Sequence, residues 1–300
     1  MSGAAWGQLI LLSLIWGASF LSIRIALDEV PFVTTVAHRV FWAMLVLWAV
    51  IIWRGLAVPR SARVWGAFLV MGCLNNVIPF SLMAWGQLHI ESGLTSILNA
   101  ATAISGVLVA ALVFADERLT AKKTIGVLFG FFGVAIAIGL ENLTRLDLRS
   151  LAQLAVIAGT LSYAFAGAWA RKTLSALPPQ VAAAGMLTGS SLVMVPAAFA
   201  IDGPPSFALS PSAYGAIFYF SIIATALAYL LYYRILSLAG SGNLMLCTLL
   251  VAPVAIILGA FVLDEALHPR AYLGFAVLAL GLIILDGRLA QSLRARLSGA

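Results

Sequence analysis

The stretch Ala115–Gly133, ADERLTAKKTIGVLFGFFG, returns in altered wording at Leu263–Gly281, LDEALHPRAYLGFAVLALG. Asp116-Glu117 answers to Asp264-Glu265, Leu119 to Leu267, Gly126 to Gly274, Gly133 to Gly281 and Gly139 to Gly287, all at the offset 264 − 116 = 148. The same offset carries Pro31 to Pro179 and Arg24 to Lys172. One gapless offset across most of the chain argues for duplication. Residues 1–144 and 149–287 are read as the two copies, followed by a basic tail at 288–300.

Composition sets the solvent. Hydrophobic residues make up 63% of the chain, charged residues 9%, and the mean hydropathy is +1.07. Soluble domains carry about a quarter charged residues. With so few charges, 300 residues cannot coat a water-facing surface, so lipid surrounds most of the molecule. A membrane helix needs about 20 apolar residues. Ten such runs are read, at 4–26, 33–53, 64–88, 92–115, 121–140, 151–172, 180–200, 212–236, 241–263 and 270–287. Turn-rich breaks such as DEVPF, HIESG and DGPPSFALSPS separate them. The expected class is an all-α integral membrane protein of ten transmembrane helices. No Lys or Arg precedes the first run, so it reads as a retained span rather than a signal peptide.

Five spans per copy is an odd number, so the second copy enters the bilayer from the opposite side. Counting Lys and Arg by connection gives the direction. Connections after odd-numbered spans hold Arg24, Arg145, Arg149 and Arg270; twelve lie on the other side, and Arg39 lies inside a span. Both termini are therefore expected in the cytoplasm of a bacterial inner membrane. The net charge of +6 reflects this asymmetry and the tail, and calls for no nucleic-acid partner. Lipid headgroups suit that tail. Two inverted halves can exchange unequal shapes, opening a shared central site first to one side and then to the other.

The WGASF of the first span, Arg39 early in the second, and the two quoted phrases together resemble the ten-helix EamA-type exporters of the drug/metabolite transporter superfamily. The resemblance covers nearly the whole chain. It implies inverted five-helix repeats, a path lined by spans 1, 3, 4, 6, 8 and 9, and efflux of amino acids, related metabolites or amphiphilic drugs. An exporter of aromatic amino acids and paraquat is the branch it suggests. Pro253 answers to Ser105, where that family commonly has a second proline, so two half-gates would bend unequally.

Several residues are candidates for the path. A charge inside a span costs roughly 2.5–3.5 kcal/mol on insertion scales, so Arg39 should face protein or a wet cavity. Either it holds a substrate carboxylate together with His38, or it fixes the fold through backbone carbonyls or Asp28. The family resemblance favours the second, because arginine recurs there among exporters of different cargo. Polar residues at mid-span, namely Trp16, Ser19, Asn75, Asn76, Asn99, Thr102, Tyr163, Thr225, Tyr229 and Thr248, should point inward and outline a small-molecule pocket. Pro79, Gly106 and Pro253 are candidate hinges. Gly126, Gly133, Gly274 and Gly281 repeat every seven residues, marking one face of spans 5 and 10 for helix packing or a homodimer contact. The Asp-Glu pairs before those spans read as helix N-terminal caps, with Thr120 and Pro269 beside them.

Absences narrow the function. Three histidines at scattered depths and no mid-span acid leave no metal, cofactor or nucleophile set for an intramembrane enzyme. The small multidrug exporters of the same superfamily rely on a glutamate in their first helix, and residues 1–27 here contain no acid. A facilitator without proton coupling is the simplest expectation, and a proton-coupled multidrug or paraquat pump is the alternative.

Overall fold

The computed structural model describes residues 3–115, 119–139, 147–232, 234–235, 238 and 246–286. Among them stand ten helices: α1 Gly3–Ala26, α2 Phe32–Arg54, α3 Ala62–Gly86, α4 Ser92–Val113, α5 Ala121–Ile138, α6 Leu148–Thr173, α7 Pro179–Ile201, α8 Pro211–Tyr232, α9 Leu246–Val262 and α10 Pro269–Asp286. Eight are long and apolar enough to cross a bilayer, while α9 and α10 enter as shorter apolar helices. Apolar side chains cover the outside: Leu112 is 85% exposed and Phe261 82%. Lipid, not water, is the solvent such a surface needs. The chain is a multi-span helical membrane protein. The tail at 288–300, Gly287, and Asp116 through Arg118 lie outside the described residues.

Local chemistry sets the helix ends. Proline occupies the first turn of α7, α8 and α10, where its missing N–H costs nothing. The Thr120 hydroxyl accepts from the Lys123 N–H at the start of α5. Gly55 closes α2 with a left-handed φ of 62°, a conformation glycine adopts without strain.

The most extensive helix pairings form a pattern that survives exchanging each helix for the one five places later. α1 packs on α8 and α9, as α6 packs on α3 and α4. α2 lies against α8 as α7 lies against α3, while α2·α7, α4·α9 and α5·α10 map onto themselves. The α5·α10 contact is the most extensive, and glycine explains its closeness. A Cβ on Gly133 would stand 2.4 Å from the Leu278 nitrogen, one on Gly274 2.5 Å from the Ala137 nitrogen, and one on Gly281 2.7 Å from the Gly126 oxygen. Backbones that approach this far exclude any side chain.

Two helices depart from α geometry at matching places. α3 contains a π-helical turn at Cys73–Val77 and α8 one at Tyr219–Leu227. In α3 the cause is Pro79, which has no N–H for the Asn75 carbonyl and whose ring crowds it. The ladder shifts register, and the Ile78 N–H reaches the Cys73 oxygen instead. α4 is interrupted at Ala100–Ala101, while its second segment runs unbroken through Gly106. α9 continues through Pro253.

The Asp264-Glu265 pair corrects one expectation from sequence. Asp264 takes a positive φ of 52°, and the Glu265 N–H turns back to the Gly259 carbonyl at 3.1 Å, ending α9. The Glu265 carboxylate then accepts from the Ser92 N–H at 2.9 Å, the Ser92 hydroxyl at 2.8 Å and the Gly93 N–H at 3.3 Å. It caps α4, not α10. Two more acids on the same side act alike: Asp202 accepts from the Thr34 N–H and hydroxyl at the start of α2, and Glu29 accepts from the Ser210 N–H and hydroxyl at the start of α8. Arg149 at the start of α6 pairs with Glu91 at 2.8 Å.

Candidate functional site

The two π-turns face each other across the bundle, and the polar residues collect between them. A π-turn leaves carbonyls poorly matched within its own helix, so neighbouring side chains complete them. Trp16 on α1 donates its indole N–H to the Ala224 carbonyl of α8 at 3.1 Å. Ser162 on α6 donates to the Leu74 carbonyl of α3 at 2.6 Å. Thr225 donates to the Phe220 carbonyl within its own turn at 2.7 Å. The first helix of each half thus braces the π-turn of the other half.

Arg39 reaches this place from α2, about 10 Å along the helix from its start. Its Nε donates to the Thr225 hydroxyl oxygen at 3.1 Å, and its guanidinium carbon sits 3.9 Å from the centre of the Phe80 ring. Phe80 meets Tyr163 edge-on with centroids 6.4 Å apart. Tyr163 and Tyr229 both lie in the field of the Arg39 charge. Asn75 donates to the Tyr229 hydroxyl at 3.2 Å and to the Asn76 side-chain oxygen at 3.2 Å. Asn76, fully buried, donates to the Ser190 hydroxyl of α7 at 2.8 Å. Arg39, Asn75, Tyr163 and Tyr229 nevertheless are only partly buried at mid-helix, each retaining accessible surface.

The sequence-predicted residues therefore divide. Arg39, Asn75, Asn76, Tyr163, Thr225 and Tyr229 form one cluster, and Pro79 shapes the turn that presents the two asparagines. Trp16 stands at its edge against Tyr232, centroids 5.8 Å apart, and the buried Ser19 hydroxyl bonds the Trp16 carbonyl at 2.7 Å. Asn99 and Thr102 meet each other at the α4 break, the Thr102 hydroxyl on the Asn99 carbonyl at 2.7 Å. Gly106 borders open space, since nothing lies within 4 Å of a Cβ built there. The Thr248 side chain lies outside the described residues. His38 does not join Arg39, because successive helix residues face different ways. Its Nδ1 accepts from the Trp42 indole at 3.1 Å, and it borders a separate cavity of about 150 Å³ with Glu29, Thr34 and Asp202.

Sequence reading missed Phe80, one of sixteen phenylalanines, and Ser190, which lies in a Thr-Gly-Ser-Ser run that nothing in the sequence ties to Asn76. It also missed the α8 π-turn, which contains no proline. Chemically, the cluster offers one cation, amides, phenols and an aromatic face. It suits reversible binding, and among the described residues no set of His, Cys, Asp and Glu is arranged to hold a metal.

Comparison with known proteins gives this arrangement its family. The model of the EamA-like transporter family matches residues 1–139 and again residues 150–285. The chain belongs to the EamA-like transporter family. Among relatives, it is 18% identical over 276 residues to the uncharacterized transporter YoaV of Bacillus subtilis, covering 92% of this chain and 94% of that one. It is 26% identical to a probable terminal-alkyne amino-acid exporter of Streptantibioticus cattleyicolor, covering 96% and 95%. It is 24% identical to protein PagO of Salmonella typhimurium, covering 91% and 90%. A solved structure, described only as the crystal structure of a protein, superposes with a TM-score of 0.69 at 17% identity over 97% of this chain and all of that one. That likeness is one of fold. Membership in a transporter family places the chain among membrane carriers of small molecules.

Proposed function

We propose that this transporter exports small metabolites, amino acids including aromatic ones foremost, by alternating access about the Arg39 cluster. The observation that carries this reading is the cluster's position, between two π-turns braced reciprocally by α1 and α6. Residues 1–144 and 149–287 are then two inverted halves, a reading supported by the exchange-invariant packing and the common offset of 148. Lys and Arg counts favour both termini in the cytoplasm of a bacterial inner membrane. In that frame the caps made by Glu29, Asp202 and Glu265 hold the periplasmic side shut. Opening outward has to part Glu29 from Ser210 and Asp202 from Thr34, while Pro79, Pro253 and the helix near Gly106 absorb the bending. The distant relative named as an amino-acid exporter is consistent with the cargo proposed.

Among the described residues every Asp and Glu lies at a helix end or in a connection, so none of these acids is placed to carry protons through the middle. We therefore read the protein as a facilitator. Purified protein in liposomes should exchange labelled phenylalanine by counterflow at equal rates with and without a pH gradient. Strict dependence on the gradient would favour the proton-coupled pump, and no exchange of any amino acid would remove the cargo assignment.

A further inference from the structure

Arg39 carries a positive charge inside the bundle, with no counter-ion among the described residues. Its interactions among the described residues are the Thr225 hydroxyl at Nε and the Phe80 face. A guanidinium has five N–H donors in a planar fork, and only the Nε–H is used here. The terminal amino groups remain unmatched beside Tyr163 and the Asn75–Tyr229 pair, where surface stays accessible. Acids elsewhere are committed to other partners: Glu29, Asp202 and Glu265 to helix starts, Glu91 to Arg149 and Asp28 to Arg24. Leaving a cation unpaired in a low-dielectric interior is costly. A bound anion removes that cost, and the fork geometry matches a carboxylate bidentately.

We propose that Arg39 is the carboxylate subsite of the cargo, which is a small monocarboxylic acid bearing an aromatic or bulky apolar arm. The inference rests on the transporter reading and narrows it. The arm lies toward Phe80 and Tyr163, whose rings meet edge-on beside the fork. An α-ammonium is tolerated but not required, because the cluster offers it only neutral oxygens from Asn75 and the two tyrosines. Carboxylate binding replaces the missing counter-ion, whereas a bare cation meets the repulsion of Arg39. Cationic amphiphiles are therefore the wrong cargo for this site.

The test uses the full chain in lipid nanodiscs, read by intrinsic tryptophan fluorescence and thermal stabilisation. The titrants are 3-phenylpropanoate, phenylalanine, phenylalaninamide and phenethylamine. Both carboxylates should saturate, and the amide and amine should bind at least about tenfold more weakly, the scale of one charged hydrogen bond. Arg39→Gln should reduce 3-phenylpropanoate to the level of the amide, and Arg39→Lys should retain an intermediate affinity. Equal binding of the amine or the amide, carboxylate binding unchanged in Arg39→Gln, or no carboxylate binding to the native chain each overturns the proposal. If Arg39→Gln fails to fold, the panel on the native chain decides alone. Carboxylate binding without counterflow would sink the transport reading and leave the subsite standing. Counterflow that ignores the carboxylate would do the reverse.

Discussion

At the scale of single residues, carboxylates join the connections to distant helices. Glu29, Asp202 and Glu265 each cap the positive end of a helix remote in sequence, satisfying N–H groups that the helix leaves open. Glu29 is the exposed example, and its bonds from the Ser210 hydroxyl and N–H hold its carboxyl below the usual glutamate range. A depressed acid lends stability above its unfolded pKa, about 4.3, and loses it as pH falls through the lower folded value. Native protein and Glu29→Gln should therefore differ in Tm at neutral pH, with the native chain higher. The gap should close as the pH drops below about 4. A gap that persists unchanged at acid pH would show that the charged cap contributes nothing. These ties were illegible in sequence because both partners belong to separate connections. The only hint was an acid in each connection and a Ser or Thr near each helix start. The Asp-Glu pair misled for the same reason: proximity in sequence pointed to α10, while the left-handed turn at Asp264 delivers Glu265 to α4.

At the scale of elements, glycine and proline determine how closely and how straight the helices run. Gly133→Val should destabilise the fold by about 1–3 kcal/mol, because its side chain meets the Leu278 backbone, which cannot yield. Gly106→Ala meets open space and should be neutral or stabilising by up to about 1 kcal/mol. Thermal unfolding in detergent compares the two; equal effects would mean that the α5·α10 contact is not close-packed. The seven-residue glycine spacing was legible, since two turns of helix bring such positions to one face. Helix number was legible too, because the apolar runs are long and the breaks rich in turn residues. The π-turns were not: Pro79 announces a disturbance but not its register, and the π-turn of α8 contains no proline at all. Of the site, depth-placed polar residues such as Asn75, Asn76 and Tyr229 could be read. Which of them meet could not, because helix rotation is fixed by packing across the whole bundle. His38 and Asn99 shared the depth of the cluster without sharing its place.

At the scale of the molecule, the account stands on two five-helix halves crossing the bilayer in opposite senses around one charged, accessible centre. Residues at the same point of each repeat must then open onto different compartments. Leu119 and Ala266 lie in the two matching connections, and both are exposed. In a chain with Cys73 and Cys247 replaced by alanine, single cysteines at 119 and 266 can be probed in intact cells with a membrane-impermeant maleimide. The cysteine at 266 should label at once, and the one at 119 only after the cells are broken open. Labelling of both from outside intact cells would contradict the inverted arrangement and the alternating access built on it.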